Sequence, residues 1–106
     1  MAVDNPNTVD MVSDGPSGSL VLIIADHLDW GDSMAHQQTL QTKIHCYLAF
    51  VESGQMRRHF PEAAGRPVVI QVVAKSLPDD AGAHFLDRAR VALGRAGYAL
   101  EWRRLE

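Results

Sequence analysis

Ser19–Trp30 reads S-L-V-L-I-I-A-D-H-L-D-W. It opens as the most apolar run of the chain and closes in two carboxylates, an imidazole and an indole. Leu20, Leu22 and Ile24 alternate with Val21, Ile23 and Ala25, so each set lies on one face of an extended chain. Both sets are apolar. A strand with one wet face would alternate in polarity, so the pattern predicts a strand inside a sheet with both faces largely covered. Just beyond Trp30, Asp32 or Ser33 supplies a side-chain oxygen suited to capping a helix.

Upstream, residues 1–8 are polar and read as a flexible terminus, and Val9–Ser13 as a short strand. Asp14-Gly15-Pro16-Ser17-Gly18 lies between that strand and the apolar run, and its turn formers make the pair an antiparallel hairpin. Downstream, Leu40, Ile44, Tyr47, Leu48 and Val51 draw one apolar stripe with a period near 3.6, which predicts a helix to about Ser53. Gln37, Gln38, Gln41, Lys43 and Glu52 fall outside the stripe, and Gly54 suits the left-handed position past the helix end. Phe60-Pro61 and Gly65-Arg66-Pro67 mark an irregular connection.

Val68–Lys75, V-V-I-Q-V-V-A-K, is the third strand, rich in β-branched residues. Pro78-Asp79-Asp80 opens a second helix with acid near its positive end, and Phe85, Leu86, Ala89, Ala92, Leu93 and Ala96 form its buried stripe up to Gly97. Tyr98–Leu105 is the last strand, with Tyr98, Leu100 and Trp102 inward and Glu101 and Arg103 outward, as suits a sheet edge.

The order is ββαβαβ. Right-handed crossovers stepping the same way place both helices on one face, so the expected fold is a two-layer α/β sandwich of α+β type. Its four-stranded mixed sheet has the order 1-2-3-4, and 9–106 form a single domain. Val21, Ile23, Val69 and Val73 then fall on the face that the helices leave open. An apolar patch there predicts a partner, most simply a second copy packing sheet against sheet.

The 106 residues suit one domain, long enough to bury a core without metal or disulfide support. Apolar residues at 46% and charged residues at 22% argue against disorder throughout. A formal charge of −3 and the lack of a basic stripe give no footprint for nucleic acid. Cys46 is the one cysteine, which excludes a disulfide framework and a multi-cysteine zinc site. No apolar run is long enough to span a bilayer and no leader pattern opens the chain, so the expectation is a cytoplasmic protein without membrane partners.

In parallel α/β arrangements, ligands bind beyond the carboxyl ends of the strands. Asp26, His27, Asp29 and Trp30 collect there, with Lys75 from the next strand and Asp32 and His36 from the helix start. Three readings compete. One is acid–base chemistry with His27 or His36 as proton carrier, an aspartate orienting it, and Lys75 stabilising an anion. Another is a His/Asp metal site, for which no H-x-x-x-H or H-E-x-x-H spacing is present. The third is structural: Asp26 or Asp29 pairs with Lys75, His27 bonds a carbonyl, and Trp30 plugs the sheet end. No phosphate-loop, dinucleotide-binding or serine-hydrolase motif occurs, so no cofactor is implied. His45 and Cys46 point about 100° apart on a helix and form no pair by themselves. The thiol packs as a small hydrophobe. His59 and His84 read as surface, and Met11, Met34 and Met56 as core or fringe packing.

D-H-L-D-W at 26–30, L-Q-T-K-I at 40–44, Y-L-A-F-V-E-S-G-Q at 47–55 and V-V-A-K at 72–75 resemble a family of small bacterial proteins classed as a domain of unknown function. Pro61 and A-G-Y at 96–98 are similar too. The resemblance covers the chain from about Val9 and implies a shared fold and a bacterial source. It implies no activity. The missing catalytic signature beside an uncovered apolar sheet face makes a non-catalytic interaction or regulatory module the leading functional expectation, such as an adaptor or a toxin antidote. A small enzyme or ligand-binding domain working from the strand-end cluster is the alternative.

Overall fold

The computed structural model describes residues 11–15, 18–54, 56, 58 and 65–105, with the side chains of 11–14 left aside. The expected flexible terminus at 1–8, the strand start at Val9, His59 and Phe60-Pro61 lie outside that set, as does the side chain of Met11. The elements are β1 (Met11–Asp14), β2 (Leu20–Asp26), α1 (Ser33–Glu52), β3 (Val68–Ala74), α2 (Asp80–Arg95) and β4 (Ala99–Arg104). The sheet runs β1-β2-β3-β4. β1 meets β2 antiparallel with Met11 opposite Ile23 and Asp14 opposite Leu20, and β2, β3 and β4 are mutually parallel. The mixed α/β class, the two helices and the parallel run agree with the sequence reading.

One face of the sheet makes the core. Leu20, Leu22, Ile24, Val68, Ile70, Val72 and Leu100 are buried with Leu40, Ile44 and Tyr47 of α1 and Leu86 and Leu93 of α2. The opposite face is graded rather than closed. Val21 is buried, Ile23, Val69 and Val73 are half-buried, and Ala25 is exposed. The expectation that β2 would be covered on both faces therefore holds only at its start. There Gly15 leans over Val21 so closely that a Cβ on the glycine would come within 2.6 Å of Val21 Cγ2.

The inner stripe of α1 is His36, Leu40, Lys43, Ile44 and Tyr47. Leu48 and Val51, expected within it, are only half-buried, while Lys43 is 0% exposed. The helical period explains both: positions 36, 40, 43, 44 and 47 share one side, and 48 and 51 drift to its margin. Lys43 buries its aliphatic stem, and its ammonium stands 5.4 Å from the Tyr47 ring centre. The Tyr47 hydroxyl donates to the Ile23 carbonyl at 2.6 Å, tying α1 to β2. Met56 joins the core, whereas Met34 is 63% exposed.

On α2, Gly82, Leu86 and Leu93 are buried and Phe85 and Ala89 half-buried. Ala92 and Ala96 are exposed, a correction to the expected stripe, because they turn to the groove between the helices. The C-terminus closes as a Schellman motif. Gly97 takes φ 93°, its N–H reaches the Gly94 carbonyl at 3.1 Å, and the Tyr98 N–H reaches the Leu93 carbonyl at 2.9 Å.

Val72 lies wholly buried in β3, opposite Ile24 and Trp102. Val72→Asp places an unpaired charge in the core, at a cost of several kcal/mol against a total of about 5–15 kcal/mol. The variant is expected to be unfolded by circular dichroism, and unchanged melting would refute this position for β3.

Candidate functional site at the carboxyl ends of the strands

Asp26 is the last residue of β2 and has the same parity as Leu22 and Ile24, so the pleat turns its carboxylate toward the helices. It is 2% exposed. A buried carboxylate needs partners, and His36, in the second turn of α1 and itself 3% exposed, supplies one. Its Nε2 lies 2.8 Å from Oδ1 and 2.7 Å from Oδ2 of Asp26. Its Nδ1 lies 2.8 Å from the Asp29 carbonyl oxygen. A carbonyl can only accept, so Nδ1 carries a proton. The proton between Nε2 and Asp26 then completes either an imidazolium–carboxylate pair or an imidazole that accepts from a carboxylic acid. Both forms have zero net charge, so the site is electrically closed.

The surrounding loop is held by its own acids. Asp26 Oδ1 also accepts from the Leu28 N–H at 3.2 Å, and Asp29 Oδ1 accepts from the Gly31 N–H at 3.0 Å. Asp32 caps α1 through the Ala35 N–H at 3.1 Å, and Asp79 caps α2 through the Gly82 N–H at 2.7 Å. The Ser33 hydroxyl donates to the same Asp79 oxygen at 3.0 Å, which couples the two helix starts. Trp30 covers the pair. Its indole stacks on the His36 ring with centroids 3.7 Å apart and planes 24° off parallel. Its far side rests on α2, where a Cβ on Gly82 would fall 2.5 Å from Cζ3. The indole Nε1 is buried and has no hydrogen-bond partner.

Of the residues singled out from the sequence, Asp26, Trp30 and His36 converge, and Asp29 contributes its backbone carbonyl. His27 is exposed and outside the pair. Lys75 is exposed and forms no ion pair with Asp26 or Asp29, contrary to the structural reading. The reason is parity. Asp26 lies opposite Ala74, so Lys75 belongs to the other face, and only its N–H reaches the Asp26 carbonyl, at 2.9 Å. Asp32 is used as the cap of α1, and His36 bonds Asp26. Sequence reading missed Ser33, Asp79 and Gly82 as parts of this assembly. The cap-forming Asp79-Asp80 was the available signal, but the contact of Ser33 with Asp79 spans 46 positions.

Both ring nitrogens of His36 are engaged and its face is covered by Trp30. No lone pair is left to act as a general base in this arrangement. Two hollows among the described residues lie elsewhere. One of about 670 Å³ sits at the opposite end of the sheet beside Met56, Pro67 and Tyr98. A groove of about 500 Å³ runs between α1 and α2 along Gln41, His45, Phe85 and Arg88. Among the described residues, no three His, Cys, Asp or Glu side chains come together as a metal site, and no helix is long and apolar enough to cross a membrane.

The model of a family of unknown function (DUF6572) matches residues 1–106, and the chain belongs to that family. No curated protein and no solved structure matches it.

Three substitutions test this assembly. Asp26→Ala and His36→Ala each strand one member of a buried pair, and each is expected to cost about 3–5 kcal/mol. The double variant should lose clearly less than their sum in urea titrations, and simple additivity would deny the pairing. Gly82→Ala should be destabilising by about 1–3 kcal/mol because the methyl overpacks Trp30, although alanine is the better helix former. A higher melting temperature for Gly82→Ala would show that Trp30 is not seated there.

Proposed function

We propose that this family member is a small bacterial, cytoplasmic protein-interaction module without catalytic activity, and that a homodimer formed through its open sheet face is its working unit. The observation that carries the reading is the half-burial of Ile23, Val69 and Val73 on the central strands, on the face opposite α1 and α2. An apolar patch on a small domain, here interrupted by Gln71 of β3, favours a partner that removes it from water. A second copy is the occupant that needs no other chemistry, because an apolar face is complementary to itself under two-fold symmetry. Val21 adds little to the contact, since the hairpin loop already covers it.

The strand-end cluster supports the same reading from the other side. Asp26, His36 and Trp30 satisfy or cover one another, and Asp29 is used by the loop. In this proposal they lock β2 to both helix starts and leave recognition to the sheet.

Light scattering coupled to size exclusion provides the test. The wild-type chain should run as a multimer, and Val69→Glu combined with Val73→Glu should halve its mass while leaving the far-ultraviolet dichroism unchanged. A wild-type monomer at high concentration, or a folded double variant of unchanged mass, would remove the proposal.

A further inference from the structure

β4 ends the sheet: among the described residues no strand lies beyond it. Its hydrogen-bonding directions follow from the register. The Leu105 N–H donates to the Ala74 carbonyl at 2.7 Å, and Arg103 lies opposite Val73. In a parallel ladder the inward-bonding residues alternate, so Glu101, Arg103 and Leu105 turn their backbone groups to β3. Leu100, Trp102 and Arg104 turn theirs to the open edge. Such an edge is a template for another strand.

The side chains on that edge carry a pattern. Glu101 and Arg103 are exposed on the face opposite the helices and flank Trp102 with opposite charges. Gln71 of β3 lies between them, donating to Glu101 Oε1 at 3.3 Å and accepting from Arg103 Nε at 3.4 Å. Two β4 edges placed antiparallel about Trp102 satisfy the backbone parity, because Trp102 would exchange N–H and C=O with Trp102 of the partner subunit. Leu100 would do the same with Arg104 of the partner subunit. Glu101 then falls opposite Arg103 of the partner subunit in a non-hydrogen-bonded pair, the closer of the two antiparallel spacings. The two-fold axis repeats the ion pair. Moving the axis to Glu101 or Arg103 sets like charges face to face, and moving it two residues loses both ion pairs.

The helix side leaves room for this approach. A cleft of about 270 Å³, lined among others by Leu86, Asp87, Arg90, Leu100 and Trp102, separates α2 from the strand. Arg104 of the partner subunit would enter there, where Asp87 stands on the wall with Arg90 at 2.9 Å.

We infer that the free edge of β4 is an interface for a second copy of this chain, paired antiparallel about Trp102 with Glu101 facing Arg103 of the partner subunit. This goes beyond the sheet-face contact and does not depend on it. Edge pairing joins two sheets side by side and makes one continuous open face from two.

Charge exchange tests the register. In the otherwise unaltered chain, Glu101→Arg alone and Arg103→Glu alone should each halve the mass measured by light scattering, and the two together should restore it. All four positions of the two edges are exposed, so folding is expected to be unaffected, and circular dichroism checks it. Unchanged mass in either single variant, a double variant that stays at half mass, or a monomeric wild type would overturn the inference. Failure of the sheet-face contact reads out separately, as no response of the mass to Val69→Glu with Val73→Glu.

Discussion

A carboxylate turned into a protein core must be answered by donors, and the cost of leaving it unanswered is set by desolvation. Asp26 is such a group, placed there by the pleat of β2. Its answer is His36, whose other nitrogen takes hold of the Asp29 carbonyl. One imidazole thus joins the end of β2, the loop after it and the start of α1. Trp30 extends the contact to the first turn of α2, where only a glycine leaves room for the indole. The carboxyl end of the sheet is therefore a closed polar knot with an aromatic cover. A pair of this kind adds little net stability compared with well-packed apolar side chains, but its geometry permits one arrangement of the four segments.

The other consequences of the fold come from how unevenly its faces are used. The helix-facing side holds the core, including the fully buried stem of Lys43. The other side has no helix of the described residues over Ile23, Val69 and Val73. Solvated charges, Glu101 and Arg103, mark the boundary of that side at β4. That side thus carries apolar side chains on β2 and β3, interrupted by Gln71, and opposite charges along β4.

The local signals in the chain were strong wherever one element decided the outcome. Stretches with six apolar residues in seven marked β2 and β3, turn formers marked the hairpin, and Gly54 and Gly97 both adopt the positive φ that their positions after helices demand. Asp32 and Asp79 act as the caps that their placement suggests. Among the described residues, boundaries moved by one residue at the end of β1, at the end of β3 and at both ends of β4.

By itself the sequence determined the mixed α/β class, the two helices and the parallel run of three strands, because periodicity and turn chemistry are properties of contiguous residues. It also pointed to residues 26–36 as the polar end of the sheet. Which residues met there was a tertiary decision. Asp26 found His36 instead of Lys75 because strand parity sends Asp26 inward and Lys75 to the opposite face. Lys43 entered the core because the helix axis set the inner stripe slightly to one side of the one its apolar residues draw. Trp30 met Gly82 because two helix starts, far apart in the chain, were brought together by the crossovers. Such contacts depend on the relative placement of whole elements, and that placement is fixed only when the core is packed.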